Sequence, residues 1–215
     1  MSRSGWSASS AASPDLSGFR VTGQDLFHRG LVSSHSGNLS ALRTPTSSRF
    51  PEESESVRQG DSIAITRHGA QLGHLGKADL VVVSLEADAA PRPVAPSMEL
   101  PRHRAIYRAT GAGAIVHAHP PHAIALSLLA SEIVPRDLEG AYLLKTVPVV
   151  EPGDVAREGL AEALRSHPIA MLRGHGSFAV GASLEEALQW TTALEDSALI
   201  LLWLKLTEGG RQPTR

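Results

Sequence analysis

Two histidines stand two residues apart in "AIVHAHPPHAIALSLL", residues 114–129, where a short apolar run gives out ahead of two prolines. In an extended strand alternate side chains share a face, so His117 and His119 point the same way. Metal ligation is one use for such a pair; two polar residues meeting solvent at a strand end is the plainer one. A third imidazole stands in "MLRGHGSFAVG", where His175 sits between Gly174 and Gly176. Flanking glycines let the backbone turn tightly and bring a ring close to another element. Together His117, His119 and His175 have the composition of an open catalytic zinc site: three neutral imidazoles and one coordination position left over. Their separation in the chain is no obstacle, since a sheet brings the ends of distant strands together. Glu99 in "APSMELPRH" adds a carboxylate just ahead of a predicted helix, as a fourth ligand, a general base or a partner for the helix dipole. His103, four residues on and one turn away, either contacts Glu99 or faces solvent.

The elements that must position these residues follow from pattern. "GDSIAIT" and "ADLVVVSLEA" read as strands, with the glycine-rich loop "RHGAQLGHLGK" between them. "LPRHRAIYRATG" reads as a helix with Pro101 in its first turn, where a missing N–H does no harm. "AIVHA" is a strand and "PPHAIALSLLAS" a helix opening on proline; "TVPVV" and "DVAREGLAEALRSH" repeat that strand-then-helix order. "IAMLR" and "SFAVG" are short strands hinged at "GHG". A last helix starts at the S-x-x-E pattern of Ser183 and Glu186, with Leu184, Leu188, Thr191, Leu194, Ala198 and Leu202 at helical spacing. Near the start, Leu16, Phe19, Leu26, Phe27 and Leu31 fit a helix over 15–31, weakened by Gly18 and Gly23. Interspersed strands and helices with hairpin-like pairs predict one α/β or mixed α+β domain on a largely antiparallel sheet with helical layers. The domain is expected over 15–207, with a mobile Ser- and Ala-rich tail over 1–14 and a C-terminal tail over 208–215.

Composition excludes several function classes. The 215 residues hold no cysteine, so disulfide frameworks and thiolate metal sites are both ruled out, in keeping with a reducing cytoplasm. A net charge of −2 with no dense Lys/Arg cluster argues against a nucleic-acid surface. No apolar run reaches the ~18–20 residues of a membrane span. A soluble cytoplasmic chain, with neither nucleic acid nor membrane as partner, is the expectation.

"GLVSSHSGNLSAL", "APSMELPRHRAIY", "AIVHAHPPHAIALSLL" and "LRGHGSFAVGASLEEALQWTTALEDSALILL" occur in this order over roughly residues 20–206. The set resembles the class II aldolase/adducin family, and within it the L-fuculose-phosphate aldolases. H-x-H-P, a distant G-H-G and an upstream glutamate are specific in combination. The resemblance implies a three-layer αβα fold with a mixed, largely antiparallel central sheet and helices on both faces. It implies a homotetramer with active sites at subunit interfaces. It further implies that His117, His119 and His175 bind Zn2+ or another divalent cation, with Glu99 as both resting ligand and catalytic proton shuttle.

The activity so implied is reversible retro-aldol cleavage of a ketose 1-phosphate, such as L-fuculose 1-phosphate, to dihydroxyacetone phosphate and an aldehyde such as lactaldehyde. Breaking a carbon–carbon bond beside a carbonyl leaves an enediolate, which a divalent cation stabilises as a Lewis acid while Glu99 handles the proton. A Schiff-base route needs a buried lysine of lowered pKa, and of Lys77, Lys145 and Lys205 only Lys145 borders a strand, as an exposed edge residue. Asp137, Glu139 and Tyr142 in "VPRDLEGAY" are the options for a second acid or base. The resemblance places the substrate phosphate on Gly37, Asn38, His68, Gly69 and Ser97, small or N–H-bearing groups that let the backbone approach an anion. His35, His68 and Met98 stand where hydroxyl residues are usual; a nearby dianion favours a protonated imidazole. Two alternatives use the same motifs: another metal-dependent enzyme on this scaffold (epimerase, decarboxylase or dehydratase), and a non-catalytic adducin-like assembly module. The intact triad and Glu99 count against the module.

Overall fold

The strand that carries both histidines, β4 (Ala114–Ala118), is buried along its whole length and divides the core in two. Ala114, Val116 and Ala118 face one apolar cluster, while Ile115, and by parity His117, face the other. The computed structural model describes residues 16–43, 61–86, 93–153 and 156–209; the expected tail over 1–14 lies outside them. In chain order the remaining elements are α1 (Leu16–His28), β1 (Asn38–Arg43), β2 (Ser62–Thr66), β3 (Leu80–Ser84), α2 (Leu100–Thr110), α3 (Pro121–Ser127), β5 (Glu132–Ile133), α4 (Leu138–Leu143), β6 (Val147–Val150), α5 (Ala156–Ala163), β7 (Ile169–Leu172), β8 (Gly176–Gly181) and α6 (Leu184–Gly209). The described strands form one eight-stranded sheet in the order β3-β2-β1-β4-β8-β7-β6-β5. Every pairing is antiparallel except that of β6 with β7.

Helices cover both faces. Leu26 of α1, Ala123 and Leu126 of α3, and Leu194 and Ala198 of α6 pack on the Val116 side. Leu100, Ile106 and Tyr107 of α2 and Leu160 of α5 pack on the Ile115 side, making three layers. The expected α/β sandwich with a largely antiparallel sheet is therefore the fold observed. The S-x-x-E start of α6 forms as predicted: Glu186 N donates to Ser183 Oγ at 3.2 Å, and Ala182 N donates to the Glu186 carboxylate at 2.6 Å. No helix among the described residues is long and apolar enough to cross a membrane.

Three elements have no counterpart in the sequence reading. β1 lies between β2 and β4, and its polar positions Asn38 and Ser40 are buried, so it shows no polar-out alternation. Ser40 in particular is wholly buried, bonding His103 Nδ1 at 2.7 Å and Tyr107 OH at 2.9 Å. The six residues of α4 and two of β5 are too short to carry a period. The glycine-rich loop after β2 also contains 3₁₀ turns at Leu72–His74 and Lys77–Asp79.

Candidate metal centre

His117 occupies the centre of the sheet and is 1% exposed. Antiparallel register sets Asn38 of β1 beside it on one side and Phe178 of β8 on the other. Residues opposite each other in such a ladder share a face, and the Phe178 ring stacks on the imidazole at 4.2 Å and 17°. His117 Nδ1 donates to the Ser177 carbonyl at 2.9 Å, which fixes the tautomer and leaves a lone pair on Nε2. His119 continues the same face beyond the strand end, its backbone N held by Leu31 O at 2.7 Å.

His175 comes from the turn joining β7 to β8. That turn is anchored by Arg173, which bonds the carbonyls of Ser127 and Ala130 and the Glu151 carboxylate, and by Gly174 N donating to Ser127 Oγ at 3.0 Å. Gly176 permits the approach to β4: a Cβ there would lie 2.4 Å from Ala118 O and 2.8 Å from His119 Cδ2. The hinge glycine is thus required by crowding, not only by the turn.

The three rings converge, with centroids 4.9 to 5.0 Å apart, and one ligand atom from each lies within 4.8 Å of the others. The Nε2 atoms of His117 and His119 are 3.1 Å apart, the spacing of two ligands each ~2.05 Å from one ion at an angle of roughly 100°. His175 Nε2 is buried with no hydrogen-bond partner among the described residues. An unpartnered inward-facing nitrogen beside two further ring nitrogens 3.1 Å apart fits a cation. Electrostatics point the same way, because all three are held neutral. Burial pushes the His117 imidazole well below its usual range, and the adjacent His119 adds to this. Burial, helped by His175, lowers His119 to about 4 against the pull of Glu99. His175 is lowered by burial, again against the pull of Glu99.

Glu99 precedes α2 but does not cap it; no side-chain cap bond forms. One carboxylate oxygen is gripped by Arg102 Nη1, and the other lies 3.7 Å from His175 Nε2. Its side chain is 16% exposed. Of the options left open by sequence, the dipole role is the one this orientation disfavours. His103 corrects a second expectation: it neither touches the Glu99 side chain nor faces solvent. It lies fully buried beneath the sheet, where burial lowers it to about 3.

Gly37, Asn38, His68, Gly69 and Ser97 all line the same cleft of about 300 Å³ as the triad and Glu99. Gly37 has φ +75°, and a Cβ there would meet His117 O at 2.8 Å. Two loops are zipped together along this wall: Ser97 N donates to Thr66 O at 3.0 Å, His68 N to Ala95 O at 2.9 Å, and Arg67 bridges Pro96. His35, bonded to Gln71 at 3.1 Å, and Met98 also line the cleft. So does Arg67, which the sequence reading passed over; a lone basic residue in a glycine-rich loop reads as solvated. Asp137 caps α4 by accepting from Gly140 N at 2.7 Å, and neither it, Glu139 nor Tyr142 lines the cleft of this chain. Lys145 is exposed in the turn after α4, with no part in the site.

The buried histidines make stability pH-dependent. His103 and His117 are neutral when folded but take up a proton near pH 6.5 once unfolded. The unfolded state therefore binds more protons as pH falls below that value, so stability is present above pH ~6.5 and is lost on acidification toward the folded value of His103, about 3. Each contributes up to about 1.4 kcal/mol per pH unit in that window. Urea unfolding of the metal-free protein at pH 7.5, 6.0 and 5.0 is expected to show falling midpoints; a flat profile would contradict neutral burial.

The family profile described as Class II Aldolase and Adducin N-terminal domain matches residues 19–202. Methylthioribulose-1-phosphate dehydratase of Acidiphilium cryptum is 35% identical over 184 residues, 78% of this chain and 80% of that protein. A probable bifunctional methylthioribose-1-phosphate isomerase/methylthioribulose-1-phosphate dehydratase of Nocardia farcinica is 31% identical over 199 residues. That match takes in 81% of this chain but spans only 33% of the Nocardia protein. Among solved structures, L-fuculose-1-phosphate aldolase from Thermus thermophilus superposes with a TM-score of 0.77 at 41% identity, covering 92% of this chain and 97% of that one.

Proposed function

Because the chain belongs to the class II aldolase and adducin family, we propose that it is a zinc-dependent lyase that cleaves a ketose 1-phosphate by a retro-aldol reaction. The observation that carries this reading is the convergence of three neutral imidazoles on one side of a cleft with a carboxylate beside them. When bound by His117, His119 and His175, a divalent cation would polarise the ketose carbonyl. Imidazole donors suit zinc among several first-row ions. Glu99 exchanges a proton with the carbon beside that carbonyl; its carboxylate, with one oxygen on Arg102 and the other 3.7 Å from His175 Nε2, supports this role. Gly37, Asn38, His68, Gly69 and Ser97, which line the same cleft, hold the phosphate, with Gly37 and Gly69 admitting the anion to the backbone. The products are dihydroxyacetone phosphate and an aldehyde such as lactaldehyde.

A dehydratase is the second reading, favoured by the Acidiphilium and Nocardia relatives. Loss of water beside a carbonyl uses the same metal residues and the same carboxylate. It differs in the bonds that break. Dehydration takes the proton from the carbon beside the carbonyl and expels hydroxide, which leaves as water, from the next carbon. The retro-aldol reaction instead takes the hydroxyl proton of that next carbon, breaks the carbon–carbon bond and returns a proton to the carbon beside the carbonyl. An adducin-like module is the weakest reading, since assembly alone needs no convergent imidazoles. The functional unit is one domain over residues 15–207, working in the cytoplasm as a homotetramer. Exposed Leu128, Leu129, Leu138, Tyr142, Trp203 and Leu206 support assembly between copies.

A coupled assay separates the readings. With L-fuculose 1-phosphate, the zinc-loaded protein is expected to release dihydroxyacetone phosphate, detected by reduction with NADH, and chelator is expected to stop it. Turnover of methylthioribulose 1-phosphate alone would establish the dehydratase. No turnover of either by a metal-loaded chain would overturn both.

A further inference from the structure

Arg67 lines the same cleft as the proposed phosphate residues, yet that reading makes no use of it. The guanidinium is fixed rather than free. Its Nε donates to Asp79 Oδ1 at 2.8 Å, and its Nη1 donates to the carbonyl of His68 at 3.0 Å. The other Asp79 oxygen is taken by Gly76 N at 2.8 Å, so the carboxylate is itself held in place. Nη2 has no hydrogen-bond partner among the described residues. The group hangs over the open side of Gly69, where a Cβ would meet Nη1 at 3.9 Å. An oriented cation with donors to spare, above a glycine that leaves room for an anion, is the geometry in which arginine recognises phosphate in a forked manner.

We infer that Arg67 is a specificity-determining residue, whose guanidinium takes a phosphoryl oxygen of the substrate and makes the cleft select a dianionic phosphate. This rests on the reading of the substrate as a sugar phosphate. It also gives a physical sense to two of the three departures from hydroxyl residues. Met98 offers no hydroxyl, and His68 is exposed; Arg67 restores a strong donor where those hydroxyl donors are missing. Asp79 acts on the substrate only through Arg67, by fixing the fork's direction.

The test uses the zinc-loaded full chain with inorganic phosphate as probe, measured by calorimetry, together with KM and kcat on the sugar phosphate. Arg67→Met is expected to weaken phosphate about tenfold to a hundredfold, the range for losing a hydrogen bond to a charged group. KM should rise in parallel, while kcat stays within about threefold, as for an interaction made equally in ground and transition states. Arg67→Lys keeps a positive charge but not the fork, and an intermediate loss is expected. It also serves as the decisive variant if the methionine form does not fold. A merely structural Arg67–Asp79 pair would lower the melting temperature and leave phosphate affinity unchanged in the folded variant, which overturns the inference. Acetate bound as tightly as phosphate by the wild type overturns dianion selection. A wild type that binds no phosphate overturns the sugar-phosphate reading itself, a failure distinct from an indifferent Arg67.

Discussion

His119→Ala is expected to abolish metal retention and to lower kcat/KM by on the order of a thousandfold or more, with the fold intact. The choice of residue matters. His119 is only partly buried, and its backbone N remains held by Leu31 O whatever the side chain. Removing its ring takes away one of three converging nitrogens without opening the core. His117 makes a poorer test. Its ring is wedged between Phe178 and His175 and donates to Ser177 O. Alanine there leaves a cavity and an unsatisfied carbonyl, costing about 2–5 kcal/mol by analogy with large-to-small core changes. Metal content per chain, measured after exhaustive buffer exchange, reads the first effect, and a thermal melt reads the fold. An inactive His119→Ala protein that retains a full complement of metal would show that the ion sits elsewhere.

Glu99→Gln carries the second large effect. The amide preserves size, and its oxygen still accepts from Arg102, so α2 and the cleft wall should stand. What is lost is the ability to take a proton. Removing a positioned general base costs about a hundredfold to ten-thousandfold in kcat. Most metal should remain, because three imidazoles are sufficient to hold an ion. A folded, metal-loaded Glu99→Gln enzyme with unchanged kcat would remove Glu99 from the chemistry. Solvent proton exchange at the carbon beside the carbonyl provides an independent reading, expected to fall with kcat.

The candidate site was more legible in the sequence than the tertiary partners that support it. His117 and His119 reveal their shared face through strand parity alone, and the glycines at 174 and 176 mark a close approach that Gly176 bears out by crowding. The S-x-x-E signal located the start of α6 because capping is local. β1 escaped because Ser40, polar by type, is buried and satisfied by His103 and Tyr107 from a helix more than sixty residues later. His103 escaped for the same reason: nothing adjacent in the chain says that its partner is a serine on a neighbouring layer. Arg67 depends on Asp79 twelve residues on and on Pro96 across the bridge, and neither link leaves a periodic trace. Local chemistry is readable from order; a partner supplied by tertiary structure is not.

One of the three imidazoles rides on an interior strand, the second stands just past the end of that strand, and the third is on the turn that closes the next hairpin. The backbone entropy of gathering them is thus spent when the sheet forms, which lessens what an incoming cation has to overcome. An ion that binds only the folded chain lends its whole binding free energy to that state. Emptying the pocket and unravelling the middle of the sheet are consequently linked equilibria, so the ion acts as a bolt through the fold as much as a reagent.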